Sequence, residues 1–310
     1  MSGIREIAMT EMPEVSIGNV QNEEAKTGVT VLLFDKKTGA VVGVDISGGG
    51  PASRETPLTS PVTADNPINA IVLSGGSAYG LAASDGVMRC LEEHGIGFET
   101  GYAKVPLVCQ SCIYDLGYGS ATVRPGSEMG YAACEKALAG GNPSSGSVGA
   151  GTGATVGKIC GMERAMKSGL GMYAVQLGEL RMAAVVAVNA LGDIFDSSTG
   201  RKIAGLRTED GTAFSDSCEE LWKMGQRENL FTGNTTIGAV ITNGKFNKAQ
   251  MNKIASMTRN AYARCINPVG TMADGDSIYA ASAGEVEADL NVAGTLAAYV
   301  MERAIVAAIR

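Results

Sequence analysis

Catalysis in this chain has to be found almost without histidine. The one imidazole, His94, sits in Leu91-Glu92-Glu93-His94-Gly95 at an apparent helix end, where it caps terminal carbonyls and meets the negative end of the helix dipole. A Ser-His-Asp arrangement is therefore not expected. A hydroxyl nucleophile without histidine needs another base. A chain's own α-amine, with an unperturbed pKa of about 7.7 to 8.0, serves when Ser, Thr or Cys stands at an N-terminus. Gly233-Asn234-Thr235-Thr236 lies directly before the apolar run 237–241. Attack of the Thr235 hydroxyl on the Asn234 carbonyl moves the acyl group from nitrogen to oxygen, and hydrolysis of that ester frees the Thr235 amine. Taken by itself, Asn-Thr-Thr before a strand is more often a plain turn, so its meaning depends on the rest of the chain.

Residues 146–158 end in Gly151-Thr-Gly-Ala-Thr-Val-Gly-Lys158 and look like a phosphate loop, because closely spaced glycines expose backbone N–H groups and a lysine follows. The Walker pattern asks for Ser or Thr after the lysine, where Ile159 stands, and the dinucleotide fingerprint is only approached. The same amides can equally form an oxyanion site, with Lys158 stabilising developing negative charge. Asp274-Gly275-Asp276 is, in isolation, a solvated turn or a weak cation ligand, and no third acidic ligand at a recognisable spacing supports a metal. Beside a catalytic amine, the two carboxylates would hold and orient the ammonium. Cys109 and Cys112 form a C-x-x-C, but no second pair follows, and small buried thiols are the favoured reading. Ser74-Gly75-Gly76-Ser77 reads as a tight strand-to-helix turn.

These groups need rigid elements around them. Segments 29–34, 41–46, 70–74, 182–189 and 236–242 have the β-branched, apolar character of buried strands. Helical patterns cover 81–94 and 129–139, each stopped by glycine, and also 248–265 and 292–309. Segment 194–234 carries Gly200-Arg201-Lys202, Glu209-Asp210-Gly211 and Arg227-Glu228-Asn229 with few apolar repeats, and reads as an exposed connection leading to Thr235. The whole, 310 residues with 45% hydrophobic content, can bury a substantial core. A net charge of −7 offers no attraction to phosphate backbones or anionic lipid, so neither nucleic acid nor membrane is an expected partner. The N-terminal segment lacks a signal-peptide apolar run, no stretch approaches 18 uncharged apolar residues, and seven cysteines do not make a disulfide framework; the expected location is the cytoplasm.

Six ordered motifs together resemble a known family. They are Leu73-Ser-Gly-Gly-Ser-Ala-Tyr-Gly-Leu81 with Ala83-Ser-Asp-Gly-Val-Met88, Val105-Pro106 followed by Ile113-Tyr114-Asp115, the 146–158 run, Val185-Val-Ala-Val-Asn189, Asn234-Thr-Thr-Ile-Gly238, and Asp274-Gly-Asp276. Nearly end to end, the chain resembles the P1 family of self-processing peptidases. These are the DmpA-like L-aminopeptidase/D-esterases of family S58, which include β-peptidyl aminopeptidases and nylon-oligomer hydrolases. The resemblance implies an α+β fold, an αββα four-layer sandwich of the DmpA/ornithine-acetyltransferase type, similar to the N-terminal nucleophile hydrolases. It implies one peptidase domain over 1–310, cut into an α-chain (1–234) and a β-chain (235–310), commonly in a homotetramer and without a cofactor or metal.

By the same resemblance Thr235 is the nucleophile, Asn189 an oxyanion donor and Tyr114 a residue lying against the substrate carbonyl. Lys158 matches the catalytic lysine of the nylon-hydrolase branch, and Asp274 and Asp276 match its acidic pair. The aminopeptidase branch has Ser for Thr235 and a Ser/Glu pair for the two aspartates; where some members carry an acidic residue for the substrate ammonium, Cys112 and Ile113 stand here. The expected activity is hydrolysis of small peptides, aminoacyl amides or esters through an acyl-enzyme at Thr235. The oxyanion would rest on Asn189 and on amides of the glycine-rich run. Alternatives are an endo-type amide-oligomer hydrolase, an acyltransferase of the ornithine-acetyltransferase type, and a non-catalytic nucleotide-binding scaffold.

Overall fold

A computed structural model describes residues 3–35, 37–224 and 233–309. Eleven strands among them build two large sheets. In chain order these are β1 (Ile4–Ile7), β2 (Ser16–Asn22), β3 (Thr27–Leu33), β4 (Val41–Ile46), β5 (Ala52–Arg54), β6 (Ala70–Ser74), β7 (Val108–Cys112), β8 (Leu170–Leu177), β9 (Leu180–Asn189), β10 (Thr235–Gly244) and β11 (Ser277–Val286). The helices are α1 (Ala83–Glu93), α2 (Ser127–Leu138), α3 (Ser217–Met224), α4 (Lys248–Cys265) and α5 (Leu290–Ala307). One sheet runs β1-β8-β9-β10-β11-β4 and the other β2-β3-β6-β7-β5.

Three apolar layers hold these elements in a four-layer stack. Val29, Val31, Ala70 and Val72 of the five-stranded sheet pack on Val87, Leu91, Ala133 and Ala137 of α1 and α2. The alternate residues Leu32, Ile71 and Leu73 face the other sheet and meet Ala183, Val185, Ala187, Ile237, Ala239 and Ile241. On the far side Ala184, Val186 and Val240 pack against Met251 and Ile254 of α4 and Leu296 and Val300 of α5. The order is therefore helices, sheet, sheet, helices, the expected αββα sandwich. Because both faces of β10 are covered, all ten of its residues are buried and its sequence reads as a continuous run rather than an alternation.

Local signals explain the element ends. Asn247 caps α4 in a reciprocal box with Gln250, each side chain accepting the other's backbone N–H at 2.9 Å. His94 is the C-terminal cap of α1, its Nδ1 lying 2.8 Å from the Cys90 carbonyl, with Gly95 in the left-handed region beyond it. Helix α5 is long and apolar enough to cross a membrane by length and composition, yet it contains Glu302 and Arg303 and packs along β8 and β9 as a core helix. Cys109 and Cys112 are both buried on β7, and burial pushes each thiol up to about 12, far from the thiolate that redox or metal chemistry uses.

The segment expected to be an exposed connection is more structured than its composition suggests. It holds a strand pair, Asp193–Asp196 with Arg201–Ala204, and helix α3. The organiser is the buried carboxylate of Asp193, which accepts from Lys202 Nζ (2.7 Å), Leu206 N (2.8 Å), and Ser217 N and Oγ (2.9 and 2.8 Å). Charge-assisted bonds replace the apolar periodicity that pattern reading looks for. The remainder of the expected connection, 225–232 with Arg227-Glu228-Asn229, lies outside the described residues.

Candidate active site

Thr235 is the first residue of β10, and its side chain shares a face with Ile237, Ala239 and Ile241, so it looks into the space between the sheets at their open end. Antiparallel pairing of β9 with β10 sets Asn189 directly opposite Thr235. On its other edge β10 runs parallel to β11, and a bridge between Asn234 and Asp274 extends that ladder to the residue before Thr235. From the second sheet, β7 runs out through the buried Ile113 into Tyr114 and Asp115. The Tyr114 ring packs against Gly233: a side-chain carbon added to that glycine would fall 2.3 Å from it. Strand ends from both sheets thus converge on one point.

Lys158 crosses this point. Its buried ammonium donates to the Asn189 carbonyl at 2.9 Å, to Asn189 Oδ1 at 2.8 Å and to the Gly233 carbonyl at 3.4 Å. With Thr155 N also donating to Asn189 Oδ1 (3.1 Å), the amide of Asn189 is fixed in orientation, and its Nδ2 donates to the Tyr114 carbonyl at 2.9 Å. Asp274 Oδ2 accepts from Thr271 N and Oγ1 at 2.8 and 2.6 Å. Asp276 accepts from Thr236 N at 2.6 Å and Gly270 N at 3.0 Å. The Thr235 hydroxyl donates to the Asn234 carbonyl oxygen, and the same oxygen accepts the backbone N–H of Gly275 at 3.0 Å.

Charge here is buried, and burial decides the proton affinities. Loss of solvent lowers Lys158 to about 7, against the upward pull of Asp274, Asp115 and Asp276. Asp276 is raised to about 7, first by burial and then by Asp274 beside it. Asp274 and Asp115 are raised for the same first reason. A neutral amine and a protonated carboxyl are therefore both accessible at neutral pH, the property that proton transfer requires. A cavity of about 80 Å³ opens beside them, lined by Tyr114, Asp115, Tyr118, Thr155, Lys158 and Met162 among others.

Thr235, Asn189, Lys158, Tyr114, Asp274 and Asp276, spread over more than 160 positions of sequence, meet in this one cluster. Eight amides of the glycine-rich run are engaged away from it. The N–H groups of Gly146, Val148, Gly151 and Thr152 donate to backbone carbonyls, Gly149 to Gln21 Oε1, Ala150 to Thr30 Oγ1, and Gly157 and Lys158 to the carbonyls of Gly192 and Leu191. Gly149, Gly151, Gly153 and Gly157 serve close packing instead: a side-chain carbon on Gly151 would fall 2.0 Å from the Leu170 amide nitrogen. Those eight amides are therefore not open to the oxyanion or phosphate cradle expected of the run. Two participants escaped sequence reasoning. Asp115, whose carboxylate accepts from Thr27 Oγ1 (2.6 Å) and Gly76 N (2.7 Å), ties the Ser74–Ser77 turn to Tyr114; its place right after Tyr114 was the available signal. The other is Gly275, hidden between two more conspicuous aspartates.

Comparison with known proteins agrees with the geometry. Residues 8–310 match the family described as peptidase family S58. The chain is 38% identical over 269 residues to an uncharacterised aminopeptidase of Mycobacterium leprae, covering 84% of this chain and 72% of that one. It is 33% identical over 290 residues to a 6-aminohexanoate-oligomer endohydrolase of a Kocuria species, covering 91% and 77%. Among solved structures it is similar to the L-aminopeptidase D-Ala-esterase/amidase of Ochrobactrum anthropi, described as a variant of the Ntn hydrolase fold. There the TM-score is 0.68 at 17% identity, over 97% of this chain and 85% of that one. A Burkholderia β-aminopeptidase gives a TM-score of 0.66 at 18% identity, over 99% and 87%.

Proposed function

The chain belongs to peptidase family S58 and is a hydrolase of C–N bonds, and from that premise we propose that it cuts itself between Asn234 and Thr235 and then uses Thr235 as an N-terminal nucleophile on small peptides, aminoacyl amides or esters. The observation that carries this reading is the Thr235 hydroxyl lying on the carbonyl oxygen of the residue before it, at the mouth of the inter-sheet space, with a buried lysine alongside. Cleavage divides the chain into residues 1–234 and 235–310. The freed Thr235 amine takes the proton of its own hydroxyl, or relays it through Lys158, as the oxygen attacks the substrate carbonyl. Asn189, directly across the strand pair, has a second Nδ2 hydrogen for the developing oxyanion; one such donor is worth roughly 3 to 4 kcal/mol. The acyl-enzyme then yields to water. Asp274 and Asp276 hold the new ammonium and adjust the proton affinity of Lys158.

The test is the mass of the purified protein under denaturing conditions. Two fragments, the smaller beginning at Thr235, are expected, and Thr235→Ala is expected to give one uncut chain with turnover down by roughly 10⁶-fold, the scale of losing a nucleophile. An alanine variant that still cuts itself or still turns over removes Thr235 from its role.

A second reading, endo-type cleavage of amide oligomers, is favoured by one feature of the site. Among the described residues no spare carboxylate awaits a substrate ammonium near Tyr114: Cys112 and Ile113 are buried in the sheet, and both oxygens of Asp115 already accept hydrogen bonds. Rates on an aminoacyl anilide and its N-acetylated form separate the readings. Exo cleavage requires the free amine, whereas endo cleavage proceeds on the blocked substrate at a comparable rate.

A further inference from the structure

The bond to be cut has a donor already aimed at its carbonyl. In the intact chain the Asn234 oxygen points across the β10–β11 ladder and accepts the N–H of Gly275 at 3.0 Å, while the Thr235 hydroxyl lies on the same oxygen. Groups on the opposite edge of β10 are differently engaged: Asn189 Nδ2 donates to Tyr114, and Asn189 Oδ1 is taken by Lys158 and Thr155. In the glycine-rich run, the N–H groups of Gly146, Val148, Gly149, Ala150, Gly151, Thr152, Gly157 and Lys158 are already bonded elsewhere. We propose that the backbone N–H of Gly275 is the oxyanion donor for cleavage of the Asn234-Thr235 bond, a catalytic group of maturation on the other edge of β10 from Asn189. The proposal rests on the self-processing reading above.

In that step the Thr235 oxygen bonds to the Asn234 carbonyl carbon and gives its proton to the neutral Lys158 amine. The carbonyl π pair moves onto the Asn234 oxygen, and the negative charge forms against the Gly275 N–H. When the pair returns, the bond from carbon to the Thr235 nitrogen breaks, and Lys158 hands the proton to that nitrogen. Water then cleaves the ester, leaving a carboxylate on Asn234 and the free hydroxyl and amine of Thr235.

The identity of residue 275 follows from this geometry. A side-chain carbon there would fall 2.6 Å from Thr235 Oγ1 and 2.9 Å from the Gly50 carbonyl oxygen, so only glycine lets the hydroxyl and the donor reach one carbonyl together. The donor is also rigid before the reaction begins. Asp274 is held by Thr271 on one side, and its carbonyl accepts Gly50 N at 2.9 Å; Asp276 is held by Thr236 and Gly270 on the other. Preorganisation of this kind makes a donor effective, because nothing has to reorient as the charge develops.

An ordinary ladder bond would hold the strand and do no more, and one atom separates the two cases. Glycolic acid in place of Gly275, introduced by nonsense suppression into the full chain, turns the N–H into an ester oxygen without adding a side chain. Lactic acid in place of Ala281 makes the same change deeper in β11 and serves as the control. Release of the 235–310 fragment is followed by mass. Expected is a fall of roughly 10²- to 10³-fold for the change at 275, within reach of one lost oxyanion donor, with the Ala281 ester within a few-fold of the unmodified chain and all three melting cooperatively. Cleavage of the 275 ester at the unmodified rate overturns the proposal. So does loss of its cooperative melting while the Ala281 ester keeps it, because the N–H is then structural. An unmodified chain that hydrolyses amides yet stays uncut sinks the self-processing reading itself, a result distinguishable from both.

Discussion

The middle and the open end of the paired strands β9 and β10 follow opposite rules. Two to six residues into β10, the inward side chains are Ile237, Ala239 and Ile241, which face Ala183, Val185 and Ala187 of β9 and need no partner beyond shape. At the strand mouth the inward side chains are Thr235 and Asn189, joined by Lys158, Asp274, Asp276 and Asp115, all buried and all dependent on hydrogen bonds. The middle gains free energy from excluding water, whereas the end spends some of it by keeping charge where water is scarce. What the end obtains is a lysine and a carboxyl both brought to about 7. Stability and reactivity are therefore separable along one strand over a few residues.

The largest expected separation comes from Lys158→Met, which keeps the length and apolar stem of the side chain and removes only the amine. Self-cleavage and turnover should each fall by roughly 10²- to 10⁴-fold, the range for losing a general base. The folded state should persist as judged by a cooperative melt. A variant that keeps its rate breaks the comparison at its reactive end.

Ile237→Ala is the converse change, made one side chain deeper on the same face. It leaves a cavity in the inter-sheet layer and should cost about 2 to 5 kcal/mol in denaturant unfolding, while the rate per folded molecule stays within a few-fold. If turnover falls as far as with Lys158→Met, the two regions are not separable, and the site depends on exact packing several ångströms away.

The two regions also differed in how far they could be read from residues alone. The middle was legible because burial on both faces leaves long apolar runs: segment 41–46 matches its strand, and 248–265 matches α4, to the residue. β11 was missed because Ser277-Ile-Tyr-Ala-Ala-Ser-Ala-Gly is rich in small residues with weak strand preference, and only pairing with β10 and β4 makes it a strand. At the open end, side-chain chemistry was visible at Thr235, Lys158, Asp274 and Asp276, but spacing alone did not show their meeting, since three distant segments supply them. The glycines misled for a physical reason. A closely spaced run can present its amides or pack tightly against neighbours, and only the partners, Leu170 at Gly151 and Thr235 at Gly275, tell which.

The effect that is smallest per step of measurement sharpens the comparison most, because it reads the cost of the reactive end directly. Lys158 is lowered in the folded chain from its ordinary 10.5 to about 7. Between those values the unfolded chain binds a proton that the folded chain has shed, so stability rises with pH across that window; the cost of keeping the amine buried is full below about 7 and gone above 10.5. The stability of the unmodified chain minus that of Lys158→Met should therefore climb between pH 7 and 10, by at most about 1.4 kcal/mol per pH unit. The same subtraction for Ile237→Ala should be flat, since no titrating group changes there. Urea unfolding of all three proteins at four pH values decides it. A flat line for Lys158→Met would mean that the ammonium is as well accommodated folded as unfolded, and the contrast between the strand middle and its mouth would lose its energetic basis.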